Sequence, residues 1–307
     1  MAVRSAAAHS PVWIAGATPF PNIPGIVRFF APYPYRSPFH SDACTNESDG
    51  ETQRALAHVE SILSHEGALN IAAIVIEPVT GSSGLVVYPP GYLSGLRAIC
   101  DKHGILLAFD EVMTGFGRVG KSFASVRLGV APDLFSFAKG ASSSYVPLGG
   151  VLVREKVASF FDREHFDVGH THAGHVLAVA AGLATLDVYE EEGLFERAIV
   201  IEGWLREGLA ALQARHPGIV GDVRGLGALF ALELVSDTAR KTPLVPWHGA
   251  SPSDRMTSFY GELLRRGVYA YGRYNIVIVA PPLTIKRQEL ELGFDALDAA
   301  LSVIEPR

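Results

Sequence analysis

Residues 105–149 read ILLAFDEVMTGFGRVGKSFASVRLGVAPDLFSFAKGASSSYVPLG, and the prediction of the fold rests on this segment. Two short apolar runs in it end in a polar side chain: ILLAF is followed by Asp110, and LFSFA is followed by Lys139. Near-continuous apolar runs of this length are typical of parallel strands that are covered on both faces. Open parallel sheets bind ligands at the carboxyl ends of their strands, so the pattern predicts that Asp110 and Lys139 contribute to a site.

These two side chains suit the chemistry of a coenzyme. A Lys that attacks an aldehyde must be partly desolvated so that its ammonium loses a proton, and the apolar run before Lys139 predicts such a setting. An Asp at the end of a strand can keep a pyridine nitrogen protonated, which is the role that we expect for Asp110. Taken alone, however, the residues also fit a surface lysine and an ordinary helix N-cap.

The first half of the chain alternates strands with helices. Apolar runs that begin at Ile71 (IAAIVIEP) and Gly149 (GGVLV) predict two further strands of the same parallel type. The helical stretch YLSGLRAICDKHG from Tyr92 lies between two of the strand-like runs, which predicts βαβ units. Ahead of them, residues 51–54 open a helix whose apolar positions follow the helical period.

The second half of the chain begins with a long helical region instead of alternating strands and helices. From His175 it reads as long helix, which is punctuated by Gly193 and stopped by Pro217. Beyond this helical region, strand-like and helix-like segments predict a compact α+β unit. We therefore expect a large α/β domain over residues 1–190, followed by a linking helix and a small C-terminal domain over residues 191–307.

Several separate motifs then point to one family. The strings IEPVTGSSG, FDEVMTGFGRVGKSFA, PDLFSFAKG, SYVPLGGV and HTHAGHVLAVAAGLATLDVYEEEG resemble the class III aminotransferases, which are pyridoxal-phosphate enzymes of fold type I. The resemblance runs from about Pro24 to Ile285 and the helix after it. It implies an α/β fold with a mostly parallel sheet in the large domain. It also implies that the chain lacks an N-terminal portion, in which relatives carry the turn that cradles the coenzyme phosphate.

The resemblance implies a role for each of five residues. Lys139 forms the Schiff base with pyridoxal 5'-phosphate, Asp110 pairs with the pyridine nitrogen, and Val112 packs against one face of the ring. Thr171 reaches the coenzyme phosphate of the partner subunit in a homodimer, and Arg273 binds the carboxylate of the substrate. The implied reaction moves an amino group from a primary amine or amino acid to a 2-oxo acid such as pyruvate or 2-oxoglutarate.

Four positions refine or depart from the family pattern. Ser82 stands where relatives that act on α,ω-diamino acids carry a glutamate, which argues against an ornithine-like substrate. Ser144 replaces a glycine, so we expect strain if the turn there needs a positive φ. Val176 replaces the usual proline after Gly-His. Arg224 is common in the family, and we expect it to have a structural pairing role.

The segment GFGRVGKS, residues 115–122, satisfies two nucleotide-binding patterns at once, the dinucleotide G-x-G-x-x-G and the P-loop. A phosphate loop leaves its strand directly and enters a long helix, so that backbone amides converge on the anion. Here residues 110–114 separate the strand from the first glycine, and Pro132 comes too soon for a long helix. A P-loop NTPase is therefore the less favoured alternative.

The sequence leaves two further hypotheses open. The chain could be an inactive, non-catalytic homologue of an aminotransferase. It could also use the same coenzyme for a sister reaction, such as that of an aminomutase or a decarboxylase.

Bulk composition limits the other classes of function. A formal net charge of -6 and a pI near 6.0 over 307 residues argue against a nucleic-acid or anionic-membrane binder. Cys44 and Cys100 are too few for a disulfide framework, which fits a cytoplasmic protein. Four histidines between residues 165 and 175 invite a zinc hypothesis, but no Cys or paired carboxylate completes a ligand set. We therefore expect no metal site.

Overall fold

The computed structural model describes residues 4–9, 24–40, 48–246 and 253–305, so that Cys44 lies outside the described residues. Its first sheet has six strands in the order β2-β1-β3-β4-β5-β6. The five strands from β2 to β5 in this order run parallel to their neighbours, as the apolar runs from Ile71 and Leu134 predict. The strands are Arg4–His9 (β1), Ile26–Phe30 (β2), Ile71–Ile76 (β3), Leu106–Asp110 (β4), Leu134–Phe137 (β5) and Gly150–Val153 (β6).

The last strand of this sheet corrects one expectation. β6 runs antiparallel to β5, and Val151, Leu152 and Val153 in it are all exposed, so it is not a covered parallel strand. A parallel neighbour requires a crossover connection, usually through a helix. The connection from β5 to β6 contains only a short 3-10 turn over Lys139–Ala141, so the chain returns in the opposite direction.

Eight α-helices are present in the described residues. The first begins at Ser48, slightly before the predicted start, and buries Ala55, Val59 and Leu63. The long helical region after His175 is confirmed as two helices separated at Gly193, which has a φ of 57°. The helices are Ser48–Glu66 (α1), Tyr92–His103 (α2), Ala124–Leu128 (α3), Glu155–Ala158 (α4), Val176–Glu191 (α5), Leu194–Arg215 (α6), Asp254–Arg265 (α7) and Arg287–Ile304 (α8). Within the described chain, no helix has the length and hydrophobicity needed to cross a bilayer.

A second, antiparallel sheet separates two apolar cores. Its order is β10-β11-β8-β7, with β9 paired to β8, and its strands are Val220–Leu226 (β7), Leu229–Asp237 (β8), Thr242–Pro243 (β9), Tyr271–Arg273 (β10) and Ile276–Val279 (β11). Side chains alternate between the faces of a strand. Accordingly Ile276 and Ile278 lie in the core beneath the first sheet, whereas Val277 lies in the core formed by α6, α7 and α8.

A buried ionic network joins residues 24–40 to the second sheet. Glu233 of β8 is fully buried and accepts hydrogen bonds from Arg36 at 2.5 Å, from Arg224 at 3.0 Å and from the hydroxyl of Tyr33. Burial raises the pKa of Tyr33, so this hydroxyl keeps its proton and acts as the hydrogen-bond donor to Glu233. The structural pairing role expected for Arg224 is thereby confirmed, because Arg224 also binds Asp222 at 2.6 Å.

We expect Glu233→Ala to lower the free energy of unfolding by about 3 kcal/mol or more, because it leaves buried guanidinium groups without their shared anion. Urea denaturation measures the loss. Arg240→Ala is the matched control: it removes an exposed partner of Asp237 and should leave stability essentially unchanged. Equal losses of unfolding free energy in the two variants would contradict the claim that the buried network stabilises the fold.

Candidate active site

Three polar residues lie at the carboxyl ends of three neighbouring strands. Glu77 follows β3 directly, Asp110 is the last residue of β4, and Lys139 comes two residues after β5 ends at Phe137. These strands are adjacent and parallel, with Ala108 opposite Leu134 and Asp110 opposite Ser136. Since paired strands lie about 4.8 Å apart, the structure brings Asp110 and Lys139 to one edge of the sheet, as the sequence predicts.

Electrostatic interactions connect the three groups. The pKa of the Glu77 carboxyl is raised, mainly by burial. The nearby Asp110 carboxylate raises this pKa further, whereas the Lys139 ammonium lowers it. Two hydrogen bonds, from the amide of Gly81 at 2.7 Å and from the side chain of Ser83, also act to lower it. Glu77, Asp110 and Lys139 therefore form one interacting charge cluster.

Asp110 is held in a fixed orientation. Its Oδ1 accepts a hydrogen bond from the amide of Val112 at 3.0 Å and another from the hydroxyl of Ser136 at 3.2 Å. An Asp that binds the amide two residues ahead sets the direction of the chain as it leaves a strand. Both hydrogen bonds use the same oxygen, so that among the described residues Oδ2 is available to another donor. Val112, the predicted ring contact, is half-buried and begins the loop that Asp110 fixes.

The neighbouring Glu111 has a structural role. It is fully buried, and its carboxylate accepts hydrogen bonds from the hydroxyl of Thr114 at 2.8 Å and from the amides of Ala124 at 2.5 Å and Ser125 at 2.8 Å. A carboxylate at the first amides of a helix compensates their missing partners. Glu111 thus closes the loop between β4 and α3 and keeps Asp110 at its place on the sheet.

The glycine-rich segment over residues 115–122 is a contact between the two sheets and does not have the geometry of a phosphate loop. Arg118 in it donates to the carbonyl oxygens of Pro281 at 2.7 Å and Ala228 at 3.1 Å, and its own carbonyl accepts from the amide of Ala228 at 2.9 Å. The helix that follows, Ala124–Leu128, has only five residues. The loop is therefore occupied by backbone contacts with the second sheet.

Lys139 differs from the expected setting in one respect. It is exposed, so the preceding apolar strand does not desolvate it. The strand ends at Phe137, and the next turn carries Lys139 away from the core with a left-handed φ of 44°. Lys139 instead lines an open cavity of about 600 Å³ together with Ala138, Ser142, Ser144, Val146, Pro147, Leu148 and Gly149.

The predicted strain at Ser144 is confirmed. Ser144 has a φ of 63°, and its neighbour Ser143 has a φ of 48°. Non-glycine residues in this region are strained and persist only where the surroundings hold them. With Lys139, three residues of the loop between β5 and β6 have this conformation, so the loop that carries the lysine is under backbone strain.

Of the predicted site residues, Lys139 alone is in the lining of this cavity, and Asp110, Val112, Thr171 and Arg273 are not. Thr171 is exposed in the turn that precedes α5 and is not part of the cavity lining. Arg273 is the last residue of β10 and pairs with Ile276. Its side chain therefore lies on the face of the second sheet that meets the core beneath the first sheet. Its guanidinium lies 5.3 Å from the centre of the Tyr274 ring. In the described residues, no three His, Cys, Asp or Glu side chains are grouped to hold a metal.

Sequence reasoning missed two residues near Lys139. Glu77 follows an apolar strand in the same manner as Asp110, and that signal identifies its position. Tyr189 of α5 is buried and donates a hydrogen bond from its hydroxyl to the carbonyl of Gly140 at 3.0 Å. No local pattern connects Tyr189 to a lysine so far away in the chain.

Comparisons with known proteins identify the family. The model of the class-III aminotransferase family matches residues 11–301. The omega-aminotransferase of Caulobacter vibrioides is 39% identical over 253 residues, which cover 80% of this chain and 54% of that protein. The 4-aminobutyrate aminotransferase of Escherichia coli is 39% identical over 247 residues, which cover 79% of this chain and 55% of that protein. The chain belongs to the class-III aminotransferase family, and it spans about half the length of these curated relatives.

Solved structures confirm the expected fold. The taurine:2-oxoglutarate aminotransferase of Bifidobacterium kashiwanohense, in complex with PLP and glutamate, has a TM-score of 0.87 at 32% identity, covering 98% of this chain and 69% of that one. An amine transaminase from an uncultivated Pseudomonas species, in the PLP-bound form, has a TM-score of 0.89 at 33% identity, covering 98% and 70%. The α/β architecture is thus that of the fold type I transaminases.

We expect Glu77→Gln to stabilise the coenzyme-free chain at neutral pH and to have little effect in acid. The pKa of Glu77 is raised on folding, so the folded state loses stability as the pH rises from the ordinary carboxyl pKa, about 4.3, through the raised value. Glutamine carries no titrating proton and escapes this loss. Urea denaturation across the acid-to-neutral range measures the difference between the two proteins.

Glu60→Gln is the control, because it should change the stability at neutral pH in the direction opposite to Glu77→Gln. Hydrogen bonding to Lys102 lowers the pKa of Glu60, so its contribution to stability is present above the ordinary carboxyl pKa and is lost as the pH falls. This variant should be less stable than the parent at neutral pH only. A Glu77→Gln effect that is independent of pH, or that has the sign of Glu60→Gln, contradicts the raised pKa.

Proposed function

We propose that this chain carries the Lys139 and Asp110 site of a pyridoxal-phosphate-dependent transaminase. The proposed reaction moves an amino group from a primary amine or amino acid to a 2-oxo acid, pyruvate or 2-oxoglutarate. The observation that carries the proposal is the placement of Asp110 and Lys139 at the carboxyl ends of adjacent parallel strands, coupled through Glu77. Relatives named as aminotransferases and matched over most of this chain support it.

The residues at the sheet edge fit the coenzyme. Lys139 supplies a primary amine beside an open cavity, and Asp110 supplies a carboxylate oxygen that is available to a donor. We propose that Lys139 holds the aldehyde end, that Asp110 holds the pyridine nitrogen, and that Val112 lies along the ring. When bound, pyridoxal phosphate supplies an aldehyde that condenses with amines and a protonated ring that accepts an electron pair.

We propose separate roles for Asp110 and Lys139 in the reaction. The hydrogen bonds from Val112 and Ser136 to Oδ1 orient the Asp110 carboxylate, so that no reorganisation is needed when charge develops nearby. With the coenzyme bound, Nζ of Lys139 would take a proton from the substrate carbon as a general base and, as a general acid, would deliver it to the carbon that comes from the coenzyme aldehyde. The left-handed backbone conformation at Lys139 places this amine at the cavity.

Substrate recognition requires an anchor for an acidic group. A planar guanidinium binds a carboxylate or a sulfonate in a two-pronged fashion, and we propose Arg273 for this role. Its side chain lies on the face of the second sheet that meets the first core. Ser82 is exposed and offers no carboxylate for a second amino group, so we propose substrates with a single amine.

We also propose that the protein acts in the cytoplasm as a homodimer. Large apolar side chains are exposed along β6, α5 and the segment between them, among them Phe160, Phe166, Val176 and Leu183. Exposed apolar patches of this kind typically mark surfaces that bind another protein. A second copy that covers this face brings Thr171 to an interface, where its hydroxyl can bind the partner's coenzyme phosphate.

One observation favours a second candidate, a non-catalytic member of the family. Lys139 is exposed in this chain, whereas a lysine that reacts with an aldehyde needs a partly desolvated amine. Coenzyme binding distinguishes the two candidates directly.

We expect the purified chain to become yellow with added pyridoxal phosphate and to lose the colour on borohydride reduction. Lys139→Ala should remain colourless and should reduce amino transfer to a 2-oxo acid by about a hundredfold or more, because it removes both the attachment and the general base. Absorbance and product analysis with pyruvate or 2-oxoglutarate measure the two effects.

Lys121→Ala is the control, since Lys121 is an exposed lysine in the loop before α3. It should behave as the parent does. Mass analysis after borohydride should find the coenzyme on the peptide that contains Lys139. A colourless parent favours the non-catalytic candidate, and attachment at another lysine contradicts the assignment of Lys139.

A further inference from the structure

Helix α5 packs against the turn that carries Lys139. A side chain at Gly182 of this helix would come within 3.3 Å of the carbonyl oxygen of Ala141 and 2.7 Å of Leu148. Further along the same helix, the hydroxyl of Tyr189 donates a hydrogen bond to the carbonyl of Gly140 at 3.0 Å. Gly140 itself fits only because it has no side chain: a Cβ there would lie 2.7 Å from Phe116. The helix therefore contacts the residues immediately after Lys139 closely.

The hydrogen bond from Tyr189 differs from the others of this turn. The described backbone hydrogen bonds of the turn are local, such as those from the amide of Ala141 to Ala138 and from the amide of Ser142 to Lys139. Ser142 also closes the loop locally, through its hydroxyl and the carbonyl of Val146 at 2.6 Å. Local hydrogen bonds can rearrange together with the loop. A bond from a separate helix fixes the turn relative to the rest of the protein.

Tyr189 is well placed to act as a fixed support. It is only 8% exposed, its ring stacks on Phe116 at 6.2 Å with an interplanar angle of 25°, and it contacts Phe195 at 5.4 Å. Aromatic contacts of this kind limit the positions of a ring. The phenol oxygen is thus held at a defined point below the turn.

The turn needs such a support because of its backbone conformation. Lys139 has a φ of 44°, a region that is costly for a residue with a Cβ. Strain of this kind persists only where surrounding structure holds it, and it is found at functional sites. Without an external contact, the turn can relax and carry the amine of Lys139 away from Asp110.

We propose that Tyr189 is a positioning residue for Lys139. Its hydroxyl fixes the carbonyl of Gly140 and thereby keeps Lys139 in the left-handed conformation that presents its amine to the cavity. This inference rests on the proposed function for the role of the amine, but the hold of Tyr189 on the turn can be measured without the coenzyme.

The test compares Tyr189→Phe, Tyr189→Leu and Tyr92→Phe in the full chain. Tyr189→Phe removes only the hydroxyl and keeps the stacked ring, whereas Tyr189→Leu removes both. Tyr92→Phe is the matched control, because it removes a buried hydroxyl that has no hydrogen-bond partner in the described part of the protein. Circular dichroism establishes that each variant is folded.

The first measurement is amide hydrogen exchange of the coenzyme-free chain over residues 139–145. We expect exchange to be about fivefold faster in both Tyr189 variants, the effect of losing one hydrogen bond, and unchanged in Tyr92→Phe. The second measurement is the titration of the yellow, borohydride-sensitive absorbance with pyridoxal phosphate. The half-saturating concentration should rise about fivefold in both Tyr189 variants, and the pH midpoint of the band should shift.

Each outcome is decisive. In a chain that becomes yellow, the inference is overturned if Tyr189→Phe matches the parent in either measurement, or if only Tyr189→Leu differs, because the hydroxyl then does not position Lys139. If the parent chain never becomes yellow, the proposed function fails. Faster exchange in Tyr189→Phe then still supports the hold on the turn, and unchanged exchange overturns it.

Discussion

The register of three parallel strands is the constraint on which the site depends. Because β3, β4 and β5 are adjacent and run in the same direction, the residues at their carboxyl ends meet at one edge of the sheet. Glu77, Asp110 and Lys139 occupy these ends. A shift of one residue in either pairing would turn Asp110 to the other face of the sheet and separate it from the lysine. Backbone hydrogen bonds therefore determine which side chains can share a ligand.

The surrounding structure keeps that edge in place from several sides. Glu111 closes the loop behind Asp110 by binding the first amides of α3, and Arg118 attaches the same loop to the second sheet. Tyr189 supports the turn at Lys139 from helix α5. The second sheet is in turn fixed to residues 24–40 by the network around Glu233. Leu229, Ala231, Ile276 and Ile278 of this sheet lie in the core beneath the first sheet, so the two halves of the chain share one apolar core.

The sequence predicts much of this arrangement, for identifiable physical reasons. An apolar run that stops at a charged residue marks the end of a covered strand, which is why Asp110 and Lys139 can be placed from the sequence. The direction of β6 cannot be predicted in this way, since an apolar run carries no information about its orientation. The exposure of Lys139 depends on a left-handed turn, and the contact from Tyr189 depends on packing between distant segments. Neither leaves a local pattern.

The pairing of Asp110 with the ring nitrogen is the claim on which the proposed chemistry most depends. The most direct measurement is the nitrogen NMR shift of the pyridine nitrogen in isotopically labelled pyridoxal phosphate, bound to the parent chain and to Asp110→Asn. Asparagine keeps an oxygen for the hydrogen bonds from Val112 and Ser136 but has no charge. The expected result is a protonated ring nitrogen in the parent and an unprotonated one in the variant. The same shift in both proteins would contradict the assignment.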